Sequence, residues 1–329
     1  MTTLSASAAT PNTAPLQRLA VISNGASTHN MREQGWIEPY LVGPGIHHFH
    51  GHGPDGIAAA VAKAGAIGAE VIVVNGGDGT ADLVFSALLN NGPFPTPPAL
   101  ALLPAGKTNM TAAAWSFRGD KRHALGQILG AWKTGAIGQH IHHRPILTVE
   151  RHDGAASLRG AFFGAADVVN GILFCRKNIY PLKLPNVISH SLAVGLLLWR
   201  GIFTGSKADA LHIEIDDATP HETQSLFFMS VTTLDKLILG LMPQPGSGGG
   251  PLHQISLRRG AWPLLGAIPS FITKNVTNGY GRVVQRAEKI TLSFDGAYTL
   301  DGELYSSTRE KPLTITAEQT LPIIQMDNA

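Results

Sequence analysis

The stretch Val71–Thr80, VIVVNGGDGT, carries the clearest chemical signal in the chain. Four aliphatic residues run into Asn75, Gly76, Gly77, Asp78, Gly79 and Thr80, and an apolar, helix-compatible pattern resumes over Ala81–Leu89. Glycines without a Cβ let backbone N–H groups close on an anion, and the helix N-terminus that follows adds a favourable dipole. Asp78 beside such a cradle repels phosphate unless a cation lies between them, so the pattern points to Mg²⁺ and a nucleotide. The alternative is a plain strand-to-helix turn in which Asp78 is the N-cap. A second candidate pair, Asp301 and Glu303, flanks Gly302 just after an apolar run. Two carboxylates on one tight turn can face the same way and serve acid–base chemistry.

These residues need a scaffold. An unbroken β-branched run such as Val71–Val74 suits a central strand of a parallel sheet covered on both faces, which puts the glycine turn at the sheet's carboxyl edge. Arg18–Ser23 reads as another strand, ending in the polar turn Asn24, Gly25, Ala26, Ser27. Ala99–Leu103 reads as a third, running into Gly106, Lys107, Thr108 and Asn109. Residues 28–41 have weak helical periodicity, Gly56–Gly68 is an Ala-rich helix, and Val42–Pro54 is expected to be a loop because of its glycines and prolines. Strand–helix alternation at this spacing predicts a doubly wound parallel α/β unit over residues 17–143.

From residue 144 onward the pattern changes. Ile146–Glu150, Leu158–Gly164, Leu211–Ile215, Leu226–Val231, Ile255–Leu257, Ile290–Phe294 and Tyr298–Leu300 are short strand-like runs between turns, with a helical insert around 186–203. That predicts a mostly β sandwich or barrel over 144–329, whose last residues are free to return to the first unit. The first sixteen residues, small and polar, read as a disordered tail without a signal peptide's basic and apolar regions.

Composition narrows the class. The chain has 329 residues, 44% hydrophobic and 15% charged, which supplies two cores. A net charge of +2 gives no case for nucleic acid and suits an anionic membrane surface or a phosphate ligand. The single cysteine, Cys175, excludes an intrachain disulfide and fits a reducing cytoplasm. The most apolar run, Ser191–Phe203, is too short to span a bilayer and reads as a core helix or a surface helix touching lipid. His47, His48, His50 and His52 form a cluster, but with no cysteine and no matched acidic residue nearby they are expected to be exposed or to contact nucleotide instead of holding metal.

Taken in order, GGDGT at 76–80, the second loop ending in Asn109, the β-rich second half and Asp301-Gly302-Glu303 resemble the diacylglycerol kinase catalytic-domain family, which includes bacterial lipid kinases and the sphingosine and ceramide kinases. The resemblance covers most of 18–305 and implies an ATP-dependent lipid kinase. Gly76, Gly77, Gly79, Thr80 and the neighbouring Asn75 would hold ATP phosphates, Asp78 would lie near Mg²⁺, and Asn24, Gly25 and Ser27 would form a partial match to the family's first nucleotide loop. The acceptor would be a lipid alcohol, with transient peripheral contact at the inner face of the membrane. The resemblance implies a general base in the Asp301/Glu303 motif; Asp301 is the favoured one, and the sequence does not separate the two.

The chain departs from the family in three places. Gly106-Lys107-Thr108-Asn109-Met110 stands where Gly-Thr-x-Asn-Asp is usual, so Lys107 replaces threonine and Met110 replaces the aspartate. Lys107 can offer a point charge to phosphate; Ala101 excludes a true P-loop there. The place usually held by a threonine falls near His50. In the frame Pro243–Leu252, both aspartates of a structural Mg²⁺ site have become Gly248 and Gly249. That site is expected to be absent or rebuilt, with Asp235 and Lys236 as a replacement ion pair. The rival readings are an NAD kinase, whose second signature this β-rich half lacks, and a catalytically silent lipid or nucleotide sensor.

Overall fold

Hydrophobic runs of the kind found at Val71–Val74 are stable only when both faces are covered, and the computed structural model meets that demand. It describes residues 18–90, 92–117, 119–174, 211–216, 221–244 and 246–326, together with Asn178, Leu192, Gly195, Leu196, Trp199 and Gly201. The proposed tail and most of the 186–203 insert lie outside the described residues. The first sheet has six strands in the spatial order Ile46–Gly51, Leu19–Asn24, Val71–Gly76, Ala99–Pro104, Thr320–Ile324 and Ile141–Pro145. The first five run parallel and the last is antiparallel.

Helices cover both faces. Gly53–Ala66 and Asp78–Leu89 pack Ile57, Val61, Val84 and Phe85 against Ile22, Ile72 and Leu100 on one side. Lys121–Lys133 packs Leu125, Ile128 and Leu129 against Val21, Val73 and Ala101 on the other. That last helix starts where Asp120 accepts the N–H groups of Arg122 and His123, each at 2.9 Å.

The second half contains two six-stranded antiparallel sheets. Leu147, Val149, Ile290 and Ile315 from one meet Phe163, Met229, Val231 and Tyr298 from the other in a single core, which makes a sandwich. The fold is therefore a mixed, mainly parallel α/β sheet followed by a mostly β region.

Four local expectations need correction. Residues 46–51 are not loop but an edge strand pairing in register with Leu19–Asn24, because the neighbouring strand supplies the hydrogen bonds that local propensity does not. Leu158–Gly164 is two strands, Leu158–Gly160 and Phe162–Ala166, in different sheets; they part at Ala161, where the chain crosses the sandwich. Helix Ala261–Thr273 and strand Arg282–Ala287 were not anticipated, since Pro263 and Pro269 obscure the first and charged residues interrupt the second.

Candidate active site

Three parallel strands end at one edge of the first sheet, and their loops touch one another there. Asn24 Nδ2 donates to Thr80 Oγ1 at 2.9 Å, joining the first loop to the glycine turn. Gly77 and Gly106 meet backbone to backbone: a Cβ on Gly77 would lie 2.8 Å from Gly106 Cα, and one on Gly106 would lie 2.4 Å from Gly77 Cα. Both positions therefore exclude any side chain. Asn109, at φ 54°, closes its own loop by accepting from Gly106 N–H at 2.7 Å and donating to Gly106 O at 3.0 Å.

Asp78 is not the N-cap that the motif in isolation allows. Gly77, not Asp78, occupies the N-cap of helix Asp78–Leu89. The Asp78 carboxylate instead reaches across to the next helix, Met110–Trp115, accepting Met110 N–H at 3.1 Å on one oxygen and Thr111 N–H at 3.0 Å on the other. Burial raises its pKa and these amides oppose that shift. Met110, the residue that replaces the usual aspartate, thus contributes its backbone to Asp78 while its side chain lines the adjoining cavity.

Asp301 stands at φ 47° on the turn after strand Gly296–Leu300. Its Oδ2 accepts from Ala161 N–H at 2.7 Å and Phe162 N–H at 3.3 Å. The carboxylate fits only because residue 160 is glycine; a Cβ there would come within 2.2 Å of Oδ2. Burial, with Asp78 adding repulsion, pushes the Asp301 carboxyl up to about 7, against the pull of the two amides.

Asp82, which does not stand out in the sequence, lies one helical turn beyond Asp78 and is buried. Burial first, and then the charges of Asp301 and Asp78, raise its pKa well above the carboxylate range. Asp82 and Asp301 are close enough to hydrogen-bond, yet with both ionised Asp82 Oδ1 and Asp301 Oδ1 have no partner. One shared proton resolves the conflict: held on Asp82, it is donated to Asp301, which stays the stronger acid of the two. The i, i+4 spacing from Asp78 was the available signal for this residue. Glu303 is exposed at the rim, its Oε1 3.7 Å from where a Cβ on Gly79 would stand.

These groups line one cavity of about 900 Å³. Its lining combines the loop residues Asn24, Ser27, Gly77, Gly79, Thr80, Gly106, Lys107 and Thr108 with the apolar Phe162, Phe227, Phe228, Leu241, Ile255 and Phe271, and Asp78, Asp82 and Asp301 are also on its wall. Asp167 lines it too, buried, one oxygen bonded by Asn170 Nδ2 at 2.8 Å and the other without a partner. Not every expected residue faces the cavity. Gly25 and Gly76 lie outside its wall, Gly76 because the Thr80 side chain occupies its flank. Asn75 is buried beneath the loops, donating to Ser23 Oγ at 2.9 Å, and so supports the glycine turn from below.

The glycine run at 246–250 follows strand Arg282–Ala287 at backbone distance. A side chain at Gly248, φ 89°, would meet Arg286 O at 2.2 Å, so no aspartate can stand there on this backbone, whereas Gly249 has open space. Asp235, expected beside Lys236, instead faces Arg144 Nη1 at 3.6 Å.

Residues 18–140 match the family model of the diacylglycerol kinase catalytic domain. All three cavity loops of the parallel sheet fall within the matched residues. No curated protein matches the sequence. Among solved structures, two from Bacillus anthracis str. Sterne, each provisionally assigned as a diacylglycerol kinase, share the fold, at TM-scores of 0.64 and 0.63 and identities of 15% and 14%. Each comparison covers 95% of this chain and 98% of the other, so the likeness in fold extends beyond residues 18–140 through the sandwich. Yeast NADH kinase complexed with NADH is more distant, with a TM-score of 0.47 and 12% identity over 97% of this chain and 89% of that one.

Proposed function

We propose that the protein is an ATP-dependent lipid kinase that transfers the γ-phosphoryl group to the hydroxyl of a membrane lipid of the diacylglycerol, ceramide or sphingoid type. One observation carries this reading: glycine loops, apolar side chains and Asp301 line the same cavity. Phosphoryl transfer asks the protein for positioning and charge stabilisation more than for covalent chemistry. The first N–H groups of helix Asp78–Leu89 precede any intrahelical acceptor and suit a phosphate. Asp301 takes the hydroxyl proton as the lipid oxygen forms its bond to the γ-phosphorus and the bond to the ADP oxygen breaks. Its carboxyl at about 7 matches a base working near neutral pH, and the protonated Asp82 keeps Asp301 Oδ1 oriented.

The donor set also fits Mg²⁺. Asp78, Asp301 and Glu303 gather negative charge around Asp82, and a hard cation prefers such oxygens. Asp78 and Glu303, on either side of Gly79, would hold it, and the ion would neutralise phosphate charge.

A lipid acceptor requires docking at a bilayer. Helix Ala261–Thr273 lines the cavity with Ala267, Ser270 and Phe271 and turns Trp262, Leu265, Ile268 and Ile272 outward. Trp262 and Ile272 are 75% and 79% exposed, the helix carries no charge, and Arg258, Arg259, Lys274 and Arg282 flank it. That combination suits an anionic membrane surface, in keeping with transient residence at the cytoplasmic face. Trp199, 56% exposed, is a further candidate contact, while Phe203 lies outside the described residues. No helix among the described residues is long and apolar enough to cross a membrane.

The test is transfer from γ-labelled ATP with Mg²⁺ to diacylglycerol, ceramide, sphingosine and NAD, with anionic vesicles and with Asp301→Ala beside wild type. Labelled lipid that disappears in the variant is expected and identifies the acceptor. Labelled NADP would make the protein an NAD kinase, and nucleotide binding with no product from any acceptor would make it a silent sensor.

A further inference from the structure

Away from the cavity, the histidines of the edge strand have acquired the acidic partner that the sequence hid. His48 and His50 alternate on Ile46–Gly51, and residues two apart on a strand share a face. Their ring centroids are 4.2 Å apart. The short 3₁₀ turn Glu38–Tyr40 carries Glu38 to the same place, its Oε1 3.8 Å from His48 Nδ1. One ligating atom from each of the three lies within 4.8 Å of the other two. His47 points to the opposite face, where its ring stacks with Phe49, and so stays outside the group.

Support from behind the cluster separates it from a chance meeting of surface side chains. His48 Nε2 lies 2.8 Å from Ser23 Oγ, which accepts from Asn75 Nδ2 at 2.9 Å. With Nε2 held on that side, Nδ1 is the nitrogen left facing Glu38 and His50. Outer hydrogen bonds of this kind fix the orientation and tautomer of ligating histidines. Ser23 and Asn75 are themselves buried on adjacent central strands, so the anchor is rigid.

We infer that Glu38, His48 and His50 form a binding site for a borderline divalent transition metal of the Zn²⁺ class. Two imidazole nitrogens and one carboxylate oxygen are the donor set that Zn²⁺ accepts, and they leave a fourth position for water. Mg²⁺, which prefers oxygen donors and keeps its own water, is a poor match. The ion ties the 38–40 turn to the edge of the sheet. Through His48, Ser23 and Asn75, it also braces the residue immediately before Gly76.

The experiment uses the full chain, stripped with a chelator and titrated by calorimetry with Zn²⁺ in excess Mg²⁺, then with Co²⁺ while visible absorption is followed. Wild type is expected to bind one Zn²⁺ per chain and to show the absorption bands of four- or five-coordinate Co²⁺. His50→Ala and Glu38→Gln should each weaken binding by about 10-fold or more, and Ser23→Ala by about 10- to 100-fold through loss of the outer support. His142→Ala with His143→Ala, on a different strand, should change nothing. Circular dichroism checks that each variant is folded. The inference is overturned if wild type binds no Zn²⁺, if folded His50→Ala and Glu38→Gln bind as wild type does, or if the His142/His143 pair abolishes binding. None of these readouts depends on phosphoryl transfer, so they stand apart from the kinase assay.

Discussion

Replacing Asp301 by asparagine should inactivate the protein and stabilise it at the same time. Asn keeps an oxygen to accept from Ala161 and Phe162, so the turn is preserved, but it cannot accept a proton. Loss of a general base costs about 10²- to 10⁴-fold in turnover. The gain in stability comes from the same burial that raises the carboxyl from 3.8 to about 7. At about 1.36 kcal/mol per pH unit, that difference is worth about 4 kcal/mol, and water in the cavity reduces it to about 2 to 4 kcal/mol. The sign follows from linkage. Between about pH 4 and pH 7 the native state holds a proton that the unfolded chain releases, so wild-type stability falls as pH rises through this window and levels off above it. The advantage of Asp301→Asn should therefore grow from pH 4, reach about half its full size midway between pH 5 and 6, and be complete by pH 8. Denaturant unfolding at pH 5 and pH 8, together with phosphate-transfer rates, measures both effects. A variant no more stable than wild type at pH 8, or one that turns over within about 10-fold of it, would refute the reasoning.

Asp82→Ala removes the hydrogen bond that lowers the Asp301 pKa, so the acidic limb of the pH–rate profile should move above 7, whereas Asp82→Asn keeps a donor and should hold the limb nearer its original place. Gly160→Ala drives a methyl group into Asp301 Oδ2 and should lower kcat by about 10²-fold with KM for ATP unchanged, read from initial rates on protein that retains its circular dichroism spectrum.

Much of this architecture could be read before any coordinates. Val71–Val74 and Ala99–Leu103 declare buried parallel strands because local composition and tertiary burial agree there. Asp301 was legible through its turn and motif. Gly160 was not, since its role is to leave space for a carboxylate 141 residues later, and nothing in its neighbours reports that. The histidine strand misled for a related reason: Gly51, Gly53 and Pro44 look like loop, and the pairing that makes 46–51 extended belongs to Leu19–Asn24. Asp78 shows the limit of reading a motif alone, because the backbone N–H groups it accepts, from Met110 and Thr111, open the next helix, more than thirty residues on.

The strand Thr320–Ile324 has an implication for how the chain is made. It fills the gap between Ala99–Pro104 and Ile141–Pro145, and Ser116 Oγ ties its end down by donating to Ile324 O at 2.7 Å while accepting from Leu102 N–H. During synthesis, therefore, Ala99–Pro104 emerges from the ribosome with one side unpaired and waits for a segment more than two hundred residues behind it. Until then the apolar Leu100 and Leu102 sit on an open edge of the kind that recruits other chains. The β sandwich must be translated before the parallel sheet can close, so a message truncated anywhere upstream of residue 320 would yield a nascent chain that chaperones must hold and proteases readily find.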